Sequence, residues 1–316
     1  MFYNKYMSVG IVVEYNPFHN GHLRQLNWIK RKWPNEKIII VMSNKFTQRG
    51  EYNVLSFRKR KSIAHNFGVS KVLKLKFEES CQAAHIFARN SILRLNKFGI
   101  DKLVFGSETD NVDEMIHLAK FLKSNQNKYN ELVRTKMKKD KLAYPKATSE
   151  ALKELTGKNF TLPNDILGFE YIKTIIEFDL PIAPFIIQRN IGFHSTETHN
   201  NFASASLIRQ LAFNNKDYQN YIPYKKIKLK NKNEYLYKKF KKKILKLKTD
   251  DFKKIPLISE GIENLLIKNL NELTYENFIN KCTSKRYTAS RIKRIIAWIV
   301  NYRKGKKIWK NELKII

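Results

Sequence analysis

Cysteine is nearly absent from this chain. Cys81 and Cys282 are the whole complement, too few for a disulfide framework or a tetrahedral thiolate zinc site. Long apolar runs are missing as well. Apolar runs are short stretches such as 38–42 (IIIVM), far short of the ~18 residues that a membrane span needs. The first residues lack a charged-then-apolar leader pattern, because Glu14 and Asn16 interrupt the apolar stretch. Glycine is sparse, 11 in 316 residues, which excludes a collagen-like repeat. Acidic residues are scarce too, 28 against 61 Lys and Arg, giving a formal charge of +33. What is plentiful is apolar content, 42% with 12% aromatic, too much for a disordered chain. These features predict a cytoplasmic, globular protein with no membrane part and with an anionic partner. At roughly 150 residues per domain, the length predicts about two domains.

The distribution of charge says more than its total, since Lys, Asn and Ile are all products of A+T-rich codons. Residues 217–316 carry 27 Lys and Arg against 9 Asp and Glu. Residues 1–216 carry 34 against 19 over twice the length. The excess at the C-terminal end is what a polyanion-binding module attached to a less basic body would show.

In the first part, strand-like and helix-like stretches alternate. Residues 9–14 (VGIVVE), 37–42 (KIIIVM), 71–75, 102–105 (KLVF) and 184–188 (PFIIQ) read as strands. Residues 21–32, 55–66, 80–96, 112–123, 164–177 and 202–213 read as helices, 129–157 is helical and charged, and 190–201 is a loop. Near-continuous apolar strands alternating with helices imply a parallel sheet covered on both faces. The expected fold is a doubly wound, Rossmann-like α/β domain over 1–216, with ligands beyond the carboxyl ends of its strands. A mainly α-helical, Lys-rich domain over 217–316 follows.

The segment 10–22, GIVVEYNPFHNGH, carries the chemistry. A strand ends at Glu14 and Tyr15, Asn16 and Pro17 turn the chain, and His19 to His22 open a helix. A helix N-terminus offers free backbone N–H groups and a positive dipole end to phosphate. Gly21 permits close backbone approach. His19 and His22, three apart, share one side of that turn and can stabilise charge on a phosphate under in-line attack. The ordinary alternative, a pair of capping or packing histidines, suits this spacing less well. The segment resembles the HxGH signature of nucleotidyltransferases and class I aminoacyl-tRNA synthetases. Downstream, 204–209 (SASLIR) resembles the S/T-x-x-R phosphate signature of that superfamily. There the Ser206 hydroxyl is expected to cap a helix and Arg209 to clamp phosphate oxygens.

Further blocks narrow the likeness: KFTQRGE at 45–51, FGSE at 105–108, PNDILGFEY at 163–171, Arg189, FASASLIR at 202–209 and KRYTASRIKR at 285–294. Together with GIVVEYNPFHNGHL at 10–23 they run in one order across nearly the whole chain, which resembles the bacterial tRNA(Met) cytidine acetate ligase family. The chain departs from the family pattern at Thr109-Asp110, where glycine is common, and at Asp165, where asparagine is common. The resemblance implies that ATP and acetate form acetyl-adenylate, and that N4 of the wobble cytidine of elongator tRNA(Met) then takes the acetyl group, giving N4-acetylcytidine. By the same resemblance the ATP site comprises Val12, Val13, Glu14, Tyr15, Asn16, Pro17, Phe18, His19, Asn20, Gly21, His22, Leu23, Arg24 and Gln25, with Gly106, Asn164 and Arg189. His19 and His22 would be catalytic. Mg²⁺ would arrive with the ATP phosphates, since no carboxylate cage for a resident metal is visible.

The block 285–294 looks like an RNA grip. Ile292, Ile295, Ile296 and Ile299 form an apolar stripe, leaving Arg291 and Arg294 on another face near Lys285 and Arg286, with Tyr287 able to stack on an unpaired base. An amphipathic helix with Tyr287 in the core fits the residues alone equally well. Two other functions stay open here: a small-molecule adenylyltransferase, and a non-catalytic RNA-binding protein on the same fold. The intact histidines and Arg209 speak against the second, and the basic, aromatic C-terminal region against the first.

Overall fold

A computed structural model describes residues 7–188, 201–259 and 261–303. Five strands, β1 (Ser8–Val13), β2 (Lys37–Ser43), β3 (Lys71–Leu75), β4 (Lys102–Ser107) and β5 (Ala183–Gln188), form one sheet in the order β3-β2-β1-β4-β5. Every pairing is parallel. The strands lie where the apolar runs predict them, because a parallel strand is buried on both faces and its sequence shows it. The winding direction reverses between β1 and β4, so the crevice beyond their carboxyl ends is the expected ligand position.

Helices cover both faces. α1 (Asn20–Lys32) and α2 (Phe57–Asn66) pack on one of them. The next four in the chain are α3 (Phe77–Ser80), α4 (Ala84–Asn96), α5 (Val112–Ser124) and α6 (Gln126–Lys138). They are followed by α7 (Tyr144–Thr156), α8 (Pro163–Glu177) and α9 (Ala205–Phe213). One core joins α4, α5, α7 and α8 to the sheet through residues such as Phe105, Ile92 and Ile172. A second joins α1, α2 and α9 to the opposite face through Ile11, Leu26, Ile63 and Ile208. Tyr218, Ile222 and Leu229, just beyond residue 216, belong to this second core.

The single helix expected over 80–96 is broken. Between α3 and α4 the chain turns at Cys81, whose carbonyl accepts from Trp298 Nε1 at 2.8 Å, while Gln82 folds back to the Glu78 carbonyl at 2.9 Å. Trp298 thus takes a carbonyl that a continuous helix would have used itself, a contact no local pattern reveals. The loop expected over 190–201 falls almost wholly outside the described residues, as does Arg189.

The C-terminal part is helical: α10 (Asn233–Ile244), α11 (Thr249–Lys253), α12 (Ile262–Lys268), α13 (Tyr275–Cys282) and α14 (Ala289–Asn301). The stripe Ile292, Ile295, Ile296 and Ile299 is fully buried, as its spacing predicts. This third core also takes Phe46, Tyr52 and Cys81 from the sheet domain, so α14 is seated against the loops above β2 and β3. Among the described residues no helix is long and apolar enough to cross a membrane.

Candidate active site

β1 ends at Val13, and the chain passes through Glu14, a left-handed Tyr15 (φ 49°) and a cis Asn16-Pro17 peptide into α1. His19 is the N-cap. Its Nδ1 accepts from the Gly21 amide at 3.1 Å, and His22 Nδ1 accepts from the His19 amide at 3.2 Å. This is a capping box built from imidazoles instead of Ser and Glu. Its consequence is chemical. Both Nδ1 atoms are acceptors, so each neutral ring carries its proton on Nε2. The rings lie with centroids 3.8 Å apart, tilted by 33°, as two neighbouring donors at the positive end of a helix. Gly21 makes room for them, since a Cβ there would sit 2.9 Å from His19 Cε1.

α9 approaches the same turn. Arg209 donates from Nη1 to the Asn16 carbonyl at 2.8 Å, and Asn16 Oδ1 accepts from the Val54 amide at 2.8 Å. Burial lowers the Arg209 pKa, partly offset by Glu51 and Glu14. The expected cap is corrected by two residues. Ser204, not Ser206, caps α9 by accepting from the Leu207 amide at 3.1 Å, and Ser206 lies 2.9 Å from the Ser204 hydroxyl. The capping oxygen must come from the residue just outside the helix, and Ala205 is already helical.

A cavity of about 710 Å³ opens beyond the carboxyl ends of β1 and β4. Val12, Val13, Glu14, Tyr15, Asn16, His19, Gly21, His22, Arg24, Gln25, Gly106, Asn164, Ser206 and Arg209 all line it. Pro17, Phe18, Asn20 and Leu23 do not. Phe18 is buried and stacks on Phe67, Leu23 packs on the second core, and the Asn20 amide ties α1 to the carbonyls of Asn201 and Asn220. These four hold the turn in place. Arg24 reaches the Gln188 carbonyl at 3.3 Å and Gln25 the Val104 carbonyl at 3.4 Å. Asn164, in the first turn of α8, donates to the Glu108 carboxylate, whose other oxygen takes the Asp165 amide at 3.1 Å. Asp165 in turn accepts from the Ser107 hydroxyl and from the amides of Glu108 and Thr109. The FGSE loop is thereby locked onto α8.

One electrostatic feature was not visible in the sequence. The first turns or caps of six helices line this one cavity: His19 of α1, Ala84 of α4, Tyr144 of α7, Asn164 of α8, Ser206 of α9 and Thr288 of α14. Each brings the positive end of a helix dipole to the cavity wall. Six helix starts on one cavity wall favour an anionic occupant.

Loop 45–51 forms the wall opposite α9. The Gln48 amide donates to Glu14 Oε1 at 2.5 Å, and Gln48 Nε2 to the Gln82 carbonyl at 2.6 Å. Burial pushes the Glu14 carboxyl up, opposed by that amide and by Arg49 and Arg60. Glu51 pairs with Lys293 of α14 at 2.5 Å. Burial alone would raise Glu51, but Lys293, Arg209 and Arg49 hold it below its ordinary value. Gly50 (φ 88°) rests on α14, where a Cβ would fall 2.5 Å from the Arg294 amide nitrogen. Gly50→Ala is therefore expected to destabilise the protein by at least about 2 kcal/mol, combining a disfavoured φ with a backbone clash. Thermal unfolding of the variant checks this.

The RNA-grip residues separate. Lys285 and Arg286 are exposed and Tyr287 is half-buried. Arg291 donates to the Leu257 carbonyl at 3.2 Å and the Ser259 hydroxyl at 2.9 Å. Arg294 is not on the outer face: it is 7% exposed and lines the cavity. The physical reason is that α14 is covered on more than its isoleucine stripe, with the Gly50 turn on one flank and the Cys81 turn on another.

The family model described as HIGH Nucleotidyl Transferase matches residues 6–313. A tRNA(Met) cytidine acetate ligase of Mycoplasmopsis synoviae is 52% identical over 93% of this chain and 96% of its own. The chain belongs to the tRNA(Met) cytidine acetate ligase family, within the HIGH nucleotidyltransferases. The Mycoplasma mobile ligase is 46% identical over 93% of this chain and 98% of its own, and the Anoxybacillus flavithermus ligase 33% over 93% and 77%. Among solved structures, apo Thermotoga maritima TmcAL superposes with a TM-score of 0.83 at 29% identity, covering 93% of this chain and 75% of that one. The same protein bound with alpha-thio ATP gives 0.80 at 28% identity, covering 93% and 74%.

Proposed function

We propose that this chain is an ATP-dependent tRNA(Met) cytidine acetate ligase, which forms acetyl-adenylate and passes the acetyl group to N4 of the wobble cytidine of elongator tRNA(Met). The observation that carries this reading is the imidazole capping box at the head of α1, set in a cavity with Arg209 and six helix N-termini. ATP fits that donor set. The triphosphate lies against the first turns of α1 and α9, with His19, His22, Ser206 and Arg209 as its donors. The adenosine lies toward Gly106 and Asn164. Arg189 serves the same nucleotide in this reading, and Mg²⁺ rides on its phosphates. In the first step a carboxylate oxygen of acetate attacks the α-phosphorus and pyrophosphate leaves. Two neighbouring Nε2–H donors meet charge as it builds on the α-phosphate, which is stabilisation by positioning with no covalent enzyme intermediate.

In this reading the nucleotidyltransferase body and the basic tRNA-binding part divide near residue 216, with the segment 218–229 strapped back over the body. The tRNA approaches the helical part in the cytoplasm. Purified protein with labelled acetate, ATP and tRNA tests the whole reading. Label entering tRNA supports it; ATP turnover only with a small metabolite, or RNA binding without turnover, overturns it. Lys285, Arg286, Tyr287 and Arg291 are the proposed RNA contacts. Lys285→Ala with Arg286→Ala is expected to weaken tRNA binding and flatten the plot of log affinity against log salt by roughly 1–2. Binding measured from 50 to 200 mM salt checks this, and an unchanged slope removes these two residues from the interface.

A further inference from the structure

Arg294 sits in the second turn of α14, 7% exposed, on the cavity wall. Its Nε is buried without a partner, and among the described residues no carbonyl, carboxylate or hydroxyl accepts from its guanidinium. Arg60 Nε is also without a partner, but the other buried arginines are held at their terminal nitrogens. Arg60 is held by main-chain carbonyls and Arg209 by the Asn16 carbonyl. The nearby carboxylate of Glu51 is engaged by Lys293. Beside Arg294 lie the cationic Arg291 and Arg49, and burial, opposed by Cys81 and reinforced by these two cations, lowers its pKa to about 10. A buried charge without a counter-charge is costly. A fold that retains one has an anion to place beside it.

The surroundings define that anion. Arg294 faces the α3–α4 turn, within electrostatic reach of Cys81 and His85. α4 starts there with alanine at its N-cap and no side-chain cap, so its first N–H groups are presented to the cavity beside Ala84. Ala289 of α14 lines the same cavity. Small side chains, a helix N-terminus and a guanidinium make a compact, positively charged recess. A phosphodiester would carry two riboses with it, for which a side chain this deeply covered leaves no approach. The triphosphate has its own donors at α1 and α9. A carboxylate with a single methyl group fits, since guanidinium and carboxylate match as a planar fork.

We propose that Arg294, with the first turn of α4, is the subsite for the carboxylate of acetate. The inference rests on the proposed function. Arg294 holds one acetate oxygen while the other attacks the α-phosphorus of ATP. The new O–P bond forms, the bond from phosphorus to the oxygen bridging to the β-phosphate breaks, pyrophosphate departs with that electron pair, and no proton moves. The oxygen left on the guanidinium becomes the acyl carbonyl oxygen of acetyl-adenylate.

The test is acetate-dependent ATP–pyrophosphate exchange by the full chain, with the ATP Kd from calorimetry and the tRNA Kd from titration alongside. If wild-type protein shows no exchange with acetate, the proposed function fails and the subsite with it. If wild type exchanges, Arg294→Lys is expected to raise the acetate KM by roughly tenfold or more, the size of a lost charge-assisted hydrogen bond. The ATP and tRNA Kd values stay within about twofold. Ala84→Val, which narrows the recess and leaves every charge in place, is expected to raise the acetate KM in the same selective way and decides the matter should Arg294→Lys fail to fold. A loss that falls on ATP binding, or on tRNA binding and its salt slope, overturns the subsite while leaving the function intact. So does an unchanged acetate KM in both variants.

Discussion

Replacing His22 by alanine is expected to slow acetate-dependent ATP–pyrophosphate exchange by about 10²–10³-fold, the range seen when one preorganised donor is removed from a transition state. The geometry makes His22 hard to replace. Its Nδ1 is occupied by the His19 amide, its ring lies against His19 at 3.8 Å, and its other edge meets Tyr15 at a centroid distance of 4.8 Å. Main chain and aromatic neighbours thus fix both the tautomer and the ring plane, so Nε2–H needs no reorganisation as charge develops. The substitution also removes half of a capping box, a stability cost of about 1 kcal/mol, small against a total of ~5–15 kcal/mol. His22→Asn separates the two effects. An asparagine oxygen can still accept from the His19 amide, so helix stability should be kept and ATP affinity should fall far less than the exchange rate, which drops nearly as far as in His22→Ala. Exchange within about threefold of wild type in both variants would remove His22 from the chemistry.

Features encoded locally are legible in the sequence. Strands buried on both faces show as unbroken apolar runs, and the HNGH turn shows its helix start, its glycine and its histidine spacing in thirteen residues. What failed to show are pairings between distant segments. Glu51 and Lys293 are 242 positions apart. Nothing near Arg294 tells that a glycine turn and a tryptophan-held corner will cover it, so helical spacing alone places it with Arg291 on a face away from the isoleucine stripe. The cap of α9 is ambiguous for the same reason, because the two serines of SAS offer two candidate oxygens and the helix phase is decided by what α9 packs against. The convergence of six helix starts is a property of the topology. Each start is legible alone, but their common target is not.

Arg60 is the residue whose importance the sequence concealed most, a basic side chain in a run of basic residues (FRKRK) on α2. It is 0% exposed. Its Nη1 donates to the Glu14 carbonyl at 2.6 Å and its Nη2 to the Ser43 carbonyl at 2.9 Å and to the Asn44 carbonyl. Glu14 follows β1, while Ser43 and Asn44 end β2. In adjacent parallel strands the carboxyl ends leave carbonyls with no further strand partner, and buried carbonyls need one. A guanidinium is the only side chain that supplies several donors in one plane to them. Burial lowers its pKa to about 10 against the opposing pull of Glu14, so it stays cationic at neutral pH. Arg60→Ala leaves the carbonyls unpaired and a void behind them. The expected loss is about 3–5 kcal/mol, a fall in Tm of roughly 5–8 °C for a chain of this size. Arg60→Lys should recover only part, because one ammonium on a flexible stem cannot serve two strand ends at once. A loss under about 1 kcal/mol in both would mean that the strand ends are held by something else. If the clamp acts as described, the folded fraction of Arg60→Lys should also bind ATP more weakly, since Glu14 and the turn into His19 lose the anchor that sets their distance from loop 45–51.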